Sequence, residues 1–284
     1  MGKRLGSSEA STMSIHVEAG KKAEEQFVID LNGNKKDPRW QTLGIKNPEE
    51  HFAIRVTKKV PSKKLGHLAN AKADVYIASG KLEQSLLEDK KFFLTDDDVE
   101  DIGLSRKEGT GISVKRTDSE KYQIHKWGPD SFKKIFGSYE LGAGISIYRN
   151  RSEELVKNDT LLSGWKTSWK EFEDYFSDTD NIKILKDKSA KSDDRKEVAK
   201  KVGTYSIKIA EDKIRNDANI SDHVFCGSND FDEPYNATWL FAYGILVKAI
   251  PFPINVTTGS GRTKGDYTVV VKPVAGSERF LRQS

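Results

Sequence analysis

The chain has 284 residues, of which 36% are apolar and 32% charged, and its net charge is +4. A chain of this length with five Trp and thirteen Phe can bury a sizeable core, which excludes intrinsic disorder, while its charge alone indicates no polyanionic partner. The single cysteine excludes a disulfide framework, and the lack of a long apolar run predicts a cytoplasmic protein without a membrane partner.

The first part of the chain predicts a tail, a helix and a strand in that order. Residues 1–14 are small and polar, and we expect a flexible N-terminal tail there. Between Glu18 and Leu31 apolar residues recur at helical spacing, and Asn32-Gly33-Asn34 is typical of a helix end. A strand-like run follows at 52–56, and the lysine-rich residues 58–64 predict a basic loop.

Two short segments carry strand signals on either side of an acidic stretch. Residues 72–79 are rich in apolar and small side chains and end at a glycine. Residues 81–110 are acidic and predict a helix and a long loop. In 111–115 apolar and polar residues alternate, which places Ser113 and Lys115 on one face of a strand.

The second half of the chain predicts further helices and strands. A helix should open at Pro129, and residues 145–147 are typical of a short strand. Residues 165–177 predict an aromatic-rich helix, and 267–272 predict a last strand. Because strands and helices alternate, we expect an α/β (α+β) fold with a central mixed sheet flanked by helices, formed by one domain over residues 15–284.

A carboxylate in one strand and a lysine in another suggest a chemistry. Asp74 lies inside an apolar strand segment, where a carboxylate is costly to bury unless a partner compensates it. Phosphodiester hydrolysis needs a divalent metal held by carboxylates and a positive group near the attacking water, and Asp74 and Lys115 are residues of those types. The structural alternatives are a solvent-facing Asp on an edge strand and a half-exposed amphipathic strand.

The stretch from Gly111 to Trp127 resembles the catalytic strand and following segment of type II restriction endonucleases of the PD-(D/E)XK superfamily. The likeness is greatest to the small MspI-like enzymes that cut GCGC or CCGG sites. Gly20-Lys-Lys-Ala-Glu24 resembles the N-terminal helix of that branch, with its active-site-facing Glu, and Asp74 matches the metal-binding Asp. Residues 258–272 resemble the glycine-rich loop and final strand, a C-terminal DNA-recognition element.

The resemblance implies a restriction-endonuclease-like fold and Mg²⁺ as cofactor, with Asp74 and Glu24 as metal ligands. It implies catalytic roles for Asp74, Ser113, Lys115 and Glu24, and contacts to the DNA target site by Gln123 and Lys126. The positive charges of Arg116, Lys121, Arg262 and Lys264 suit contacts to DNA phosphates, with solvated surface charges as the alternative. Ser113 departs from the superfamily pattern, which has a second carboxylate there. A carboxylate from elsewhere should compensate, with Glu24 the first candidate and Glu25 and Asp130 the others. The interval from Asp74 to Ser113 is also longer than in the MspI-like branch.

These features predict a type II restriction endonuclease that hydrolyses double-stranded DNA at a short specific site. We expect it to act as a monomer or homodimer, with a cognate DNA methyltransferase as a functional rather than physical partner. One alternative is a repair or junction nuclease of the same superfamily. Another is a non-catalytic DNA- or RNA-binding protein in which Asp74 and Lys115 are structural.

Overall fold

The structure is a computed structural model that describes residues 8–56, 59–116, 122–147, 160–177, 182–259 and 267–283, with side chains from Gly20 onward. It combines helices with a mixed sheet, which confirms the α+β class. Within the described ranges, none of the helices has the length and apolar character needed to cross a bilayer.

The chain divides into two compact units. The first unit comprises Met1–Tyr122, Phe225–Phe252 and Ala275–Ser284, and the second comprises Gln123–Val224 and Pro253–Val274. This division into compact units does not test the prediction of a single domain over residues 15–284, which stays a prediction.

The first unit contains a six-stranded mixed sheet. Its strands run in the order β1 (His51–Arg55), β4 (Val75–Ser79), β6 (Ile112–Val114), β8 (Trp239–Ala242) and β9 (Ile245–Lys248), and β5 (Ser105–Arg106) also pairs with β4. Neighbouring strands are antiparallel except β6 and β8, which are parallel. The pair between β4 and β6 joins Val75 to Ile112, so the two segments singled out in the sequence are adjacent strands.

Helix α1 (Ser8–Gly33) covers one face of this sheet. Phe27, Val28 and Leu31 are buried at helical spacing, and the Asn32 side chain exchanges hydrogen bonds of 2.9 and 2.8 Å with the backbone of Ala53 in β1. The helix ends at Gly33 as predicted but begins at Ser8 rather than at Glu18, so it includes part of the expected tail. Residues 8–14 lack an apolar stripe, so the periodicity used to place the helix gives no signal for its first turns.

The acidic segment 81–110 folds as two short helices and a strand. Helix α2 (Pro38–Thr42) precedes this segment, which holds α3 (Gln84–Asp89), α4 (Asp96–Ile102) and β5. In α4 the side chains of Thr95 and Asp98 form a capping box, and its three N-terminal aspartates lie where the helix dipole favours negative charge.

The basic segment is a hairpin and not the loop predicted from its lysines. Strands β2 (Lys59–Ser62) and β3 (His67–Asn70) pair antiparallel, with Lys59 opposite Asn70 and Ser62 opposite His67. Val60 and Ser62 are buried while their neighbours are exposed, so the period of two characteristic of a strand is present. Lysine and proline content hid this alternation in the sequence.

The second unit contains a three-stranded sheet and several helices. The sheet has the order β10 (Ile254–Thr258), β11 (Val269–Pro273) and β7 (His125–Trp127), all antiparallel. The unit also includes α5 (Pro129–Phe136) and α6 (Tyr139–Ile147), followed by the helices Thr160–Gly164, Trp169–Tyr175 and Ser192–Asn216. The helix Ala218–Phe225 leads back to the first unit, where Ser277–Gln283 is helical.

Residues 145–147 form the last turn of α6, so the strand predicted there is wrong. Residues Leu141 to Ile147 of α6 are all buried, and a short apolar run cannot be told from a buried helix by periodicity. Gly142 and Gly144 let neighbouring side chains pack closely against the α6 backbone, since a Cβ on Gly142 would lie 2.1 Å from the Trp165 ring. The aromatic helix predicted over 165–177 is confirmed in a shorter form, Trp169–Tyr175, because Ser168 caps its start.

Candidate active site

The backbone of Asp74 is held between the two strands that flank β4. Its carbonyl accepts from Val56 N at 2.9 Å, just beyond the end of β1, and its N–H donates to the carbonyl of Ile112 in β6 at 2.8 Å. These bonds hold Asp74 immediately before β4, where its side chain faces the β6 segment.

The Asp74 carboxylate contacts three consecutive residues of the β6 segment. Its Oδ2 accepts from the Ser113 hydroxyl at 3.2 Å and from Val114 N at 2.8 Å. Lys115 Nζ lies 3.8 Å from the same oxygen, and the two side chains are 20% and 27% exposed. Both hydrogen bonds that the described residues donate to this carboxylate reach Oδ2.

Glu24 reaches the same site from helix α1. It precedes the buried Phe27, Val28 and Leu31 by three, four and seven residues, so it continues their stripe toward the sheet. Burial raises the pKa of the Glu24 carboxyl above its ordinary value, and the negative charge of Asp74 raises it further. The hydrogen bond and charge of Arg55 and the charge of Lys115 oppose that shift of the Glu24 pKa.

Arg55, at the end of β1, holds Glu24 in place. The guanidinium is 5% exposed and lies with Nη2 3.3 Å from Glu24 Oε2 and Nη1 3.8 Å from Glu25 Oε2. The same Nη2 donates to the carbonyl of Lys21 at 3.2 Å, and the group lies 4.1 Å from the centroid of the Phe93 ring. A buried cation with these contacts restricts the Glu24 carboxylate to one region.

Lys72 is a second lysine near Asp74 and was not predicted to belong to the site. Burial lowers the pKa of its ammonium to about 7; the charge of Lys115 also lowers this pKa, while Cys226, Asp74 and Asp230 raise it. Its stem packs against Gly227, where a Cβ would lie 2.7 Å from Lys72 Cγ. The ammonium is therefore within the electrostatic field of the Asp74 and Lys115 pair.

The Asp74 and Glu24 carboxylates suit a hard divalent cation such as Mg²⁺. Burial and the negative charge of Asp74 raise the pKa of Glu24, and a bound cation would relieve this repulsion between the two carboxylates. The described residues hold no cluster of three or more His, Cys, Asp and Glu side chains for a metal. Proteins commonly bind Mg²⁺ with one or two carboxylates plus substrate phosphates, so a pair of carboxylates is sufficient.

The other carboxylate candidates differ from Glu24. Glu25 contacts Arg55 but is 42% exposed. Asp130 lies in the second unit, where it accepts from Tyr139 at 3.0 Å and from Lys166 at 2.6 Å. Since the negative charge of Asp74 raises the pKa of Glu24, Glu24 is the candidate nearest in its electrostatics to the place of the second carboxylate.

The residues expected to contact DNA are spread over the chain. Arg116 follows Lys115 and is half-buried, whereas Gln123 and Lys126 are exposed in the second unit, Lys126 on β7. Lys121, Arg262 and Lys264 lie outside the described residues. Their predicted contacts to DNA stay predictions.

Sequence reasoning missed Arg55 and Lys72, although each left a signal. Arg55 ends an apolar strand run, and Lys72 stands two residues before Asp74.

In comparisons with known proteins, no family model matches the chain, and no curated protein is significantly similar to it in sequence.

Proposed function

We propose that this protein is a Mg²⁺-dependent endonuclease that cuts double-stranded DNA at a short specific site, as type II restriction endonucleases do. The observation that carries the proposal is the grouping of Asp74, Ser113 and Lys115 on adjacent strands, with Glu24 approaching from α1. The resemblance of those segments to PD-(D/E)XK enzymes supports a restriction-endonuclease-like fold for the first unit.

Each polar group of the site has a distinct task in this proposal. Val114 N–H and the Ser113 hydroxyl hold Asp74 Oδ2, which would leave Oδ1 for the metal. Lys115 brings a positive charge that orients the attacking water and offsets the negative charge developing on the phosphate. Arg55 positions Glu24 without touching the substrate.

Asp74 and Glu24 would hold Mg²⁺. When bound, this ion polarises the phosphate and lowers the pKa of a coordinated water. Ser113, which cannot replace a carboxylate as a charged ligand, contributes a hydrogen bond to Asp74 instead. Glu24 then supplies the second negative charge from a helix and not from the lysine strand.

Digestion of plasmid DNA with Mg²⁺ tests the proposal. We expect discrete fragments of reproducible length from a site-specific enzyme. Smears or nicks only at branched structures would indicate a repair or junction nuclease instead. DNA that stays intact with Mg²⁺ and with Mn²⁺ would show that the proposed activity is wrong.

A further inference from the structure

The hairpin β2–β3 emerges from the sheet at the candidate active site. Its two ends are Val56 and Asp74, which are joined by the bond from Val56 N to the Asp74 carbonyl. Arg55, which precedes Val56, pairs with Val75, which follows Asp74, as the last pair between β1 and β4. The hairpin is thus the connection between two sheet strands whose ends carry Arg55 and Asp74.

One face of this hairpin, which we call the hairpin face, is basic and exposed. Residues opposite one another in an antiparallel pair share a face, so it comprises Lys59, Pro61, Leu68 and Asn70. The exposed Lys63 follows β2 in the adjoining turn and is included in the hairpin face. Leu68 is 60% exposed and the Lys63 side chain is 58% exposed. Residues 59–70 contain three lysines and no carboxylate, in a chain whose charges otherwise nearly balance.

The opposite face anchors the hairpin to the first unit. Asp230, at 0% exposure, accepts from the Ser62 hydroxyl at 2.5 Å and from Lys64 N at 3.0 Å. Lys63 N donates to the Asp230 carbonyl at 3.0 Å. A carboxylate is buried here to fix the hairpin turn, so the hairpin face is presented on a defined frame.

We infer that the hairpin face binds the backbone of duplex DNA beside the phosphate that is cut, an inference that rests on the proposed function. Lys59 and Lys63 contact phosphates, and Asn70 and Leu68 lie against the groove edge between them. The ion pair of Lys63 with Asp232 joins two exposed side chains and is weak in water, so a phosphate can replace it.

Protection of an exposed strand edge is the structural alternative for these residues. Lysine and proline on a two-stranded ribbon hinder edge-to-edge aggregation. If these residues served only that role, substituting them would lower the solubility of the protein and leave its DNA affinity unchanged. The two roles therefore differ in a measurement of binding.

The test is DNA binding by the variant Lys59→Gln/Lys63→Gln, measured with a fluorescent duplex of mixed sequence in EDTA so that no cleavage occurs. Each phosphate contact contributes about one unit to the slope of log affinity against log salt, so the slope should fall by about two and the affinity by about tenfold at low salt. Lys59→Arg/Lys63→Arg keeps the charges and should bind as the wild type does.

Lys46→Gln/Lys81→Gln is the matched control. Both lysines are exposed and flank the opposite ends of β1 and β4, where His51 pairs with Ser79. This control removes the same charge and should leave the slope unchanged.

An unchanged slope in Lys59→Gln/Lys63→Gln would overturn the inference, as would aggregation of that variant without loss of affinity. If the wild type cuts plasmid DNA while the hairpin variant binds normally, only the hairpin inference fails. A wild type that binds no duplex would contradict both the inference and the proposed function.

Discussion

The two oxygens of the Asp74 carboxylate have different roles in the proposed site, and this difference determines the expected effect of substitutions at Asp74. Oδ2 is held by Ser113 and Val114, and in the proposed site Oδ1 would bind the metal. Asp74→Asn keeps the shape of the side chain and an oxygen for these donors, but it removes the charge that would bind Mg²⁺ in the proposed site. The effect of this change therefore reports on the metal and not on folding.

We predict that Asp74→Asn lowers the cleavage rate by at least about two orders of magnitude. Duplex binding without metal should stay equal or tighten, because a negative charge facing phosphates is lost. Single-turnover cleavage and fluorescence anisotropy measure the two effects. A variant that cuts at nearly the wild-type rate would mean that Asp74 is not the metal-binding carboxylate.

Three further residues of the site should rank in a fixed order. Ser113→Ala should cost only about tenfold in cleavage rate, since Val114 N still holds Asp74 Oδ2 at 2.8 Å. Lys115→Ala should be the most damaging, because it removes the charge beside the reacting phosphate. Glu24→Gln should fall between them and raise the Mg²⁺ concentration that gives half the maximal rate.

Titrations of single-turnover rates with Mg²⁺ check this order. Ser113→Glu should relax the dependence on Glu24, because it places a carboxylate on the lysine strand. An inactive Ser113→Ala beside a fully active Glu24→Gln would show that α1 supplies no ligand.

The site was predictable from the sequence only in part. Asp74, Ser113 and Lys115 stand within short strands whose type is readable from alternation, and the resemblance joined them. Arg55 was not predictable, because its contact with Glu24 joins residues 31 positions apart in the chain. Lys72 stands close to Asp74 in the sequence, but its burial depends on distant residues such as Gly227. A lysine or arginine beside an apolar run is usually a solvated charge.

At the scale of elements, some short segments are compatible with both a strand and a helix or loop, so the sequence pattern alone did not decide between them. Strand-like alternation at residues 145–147 is overridden by the helical packing of α6, and the lysines of β2 hid a hairpin. Helix α1, with its long apolar stripe, was predictable, as was its end at Gly33, but its start at Ser8 was not. The second unit was the less predictable one, since its sheet joins β7 to strands more than a hundred residues later.

Glycines within helices give a prediction about this packing. A Cβ on Gly144 of α6 would lie 2.2 Å from the Ser206 hydroxyl and 2.7 Å from the Phe176 ring. We expect Gly144→Ala to lower the free energy of unfolding by about 1–3 kcal/mol, because a close-packed contact must open. Urea denaturation followed by circular dichroism measures this change.

Gly20→Ala is the matched control for that experiment. In α1 a Cβ on Gly20 would meet nothing within 4 Å, so alanine should stabilise the helix by about 0.5–1 kcal/mol. Equal effects of both substitutions would contradict the close packing of α6 against Ser206.

On the scale of the whole molecule, fold and activity should depend differently on the metal. The core of the first unit is made of apolar side chains, including Trp40, Ile54, Ile77 and Ile112, which are almost fully buried. Hydrophobic burial of this kind maintains a fold without a bound ion. Mg²⁺ would instead add a modest stabilisation at the site formed by Asp74 and Glu24.

We therefore predict that EDTA abolishes cleavage while the protein stays folded, and that added Mg²⁺ or Mn²⁺ restores the rate. At about 100 times its Kd, Mg²⁺ should stabilise the wild type by about 2.7 kcal/mol, which corresponds to a rise in Tm of several degrees. Thermal melts with and without Mg²⁺ measure this rise, and Asp74→Asn should lose it because the main ligand is gone. Cleavage that persists in excess EDTA would contradict the metal mechanism. A rise in Tm that survives in Asp74→Asn would place the stabilising ion elsewhere in the molecule.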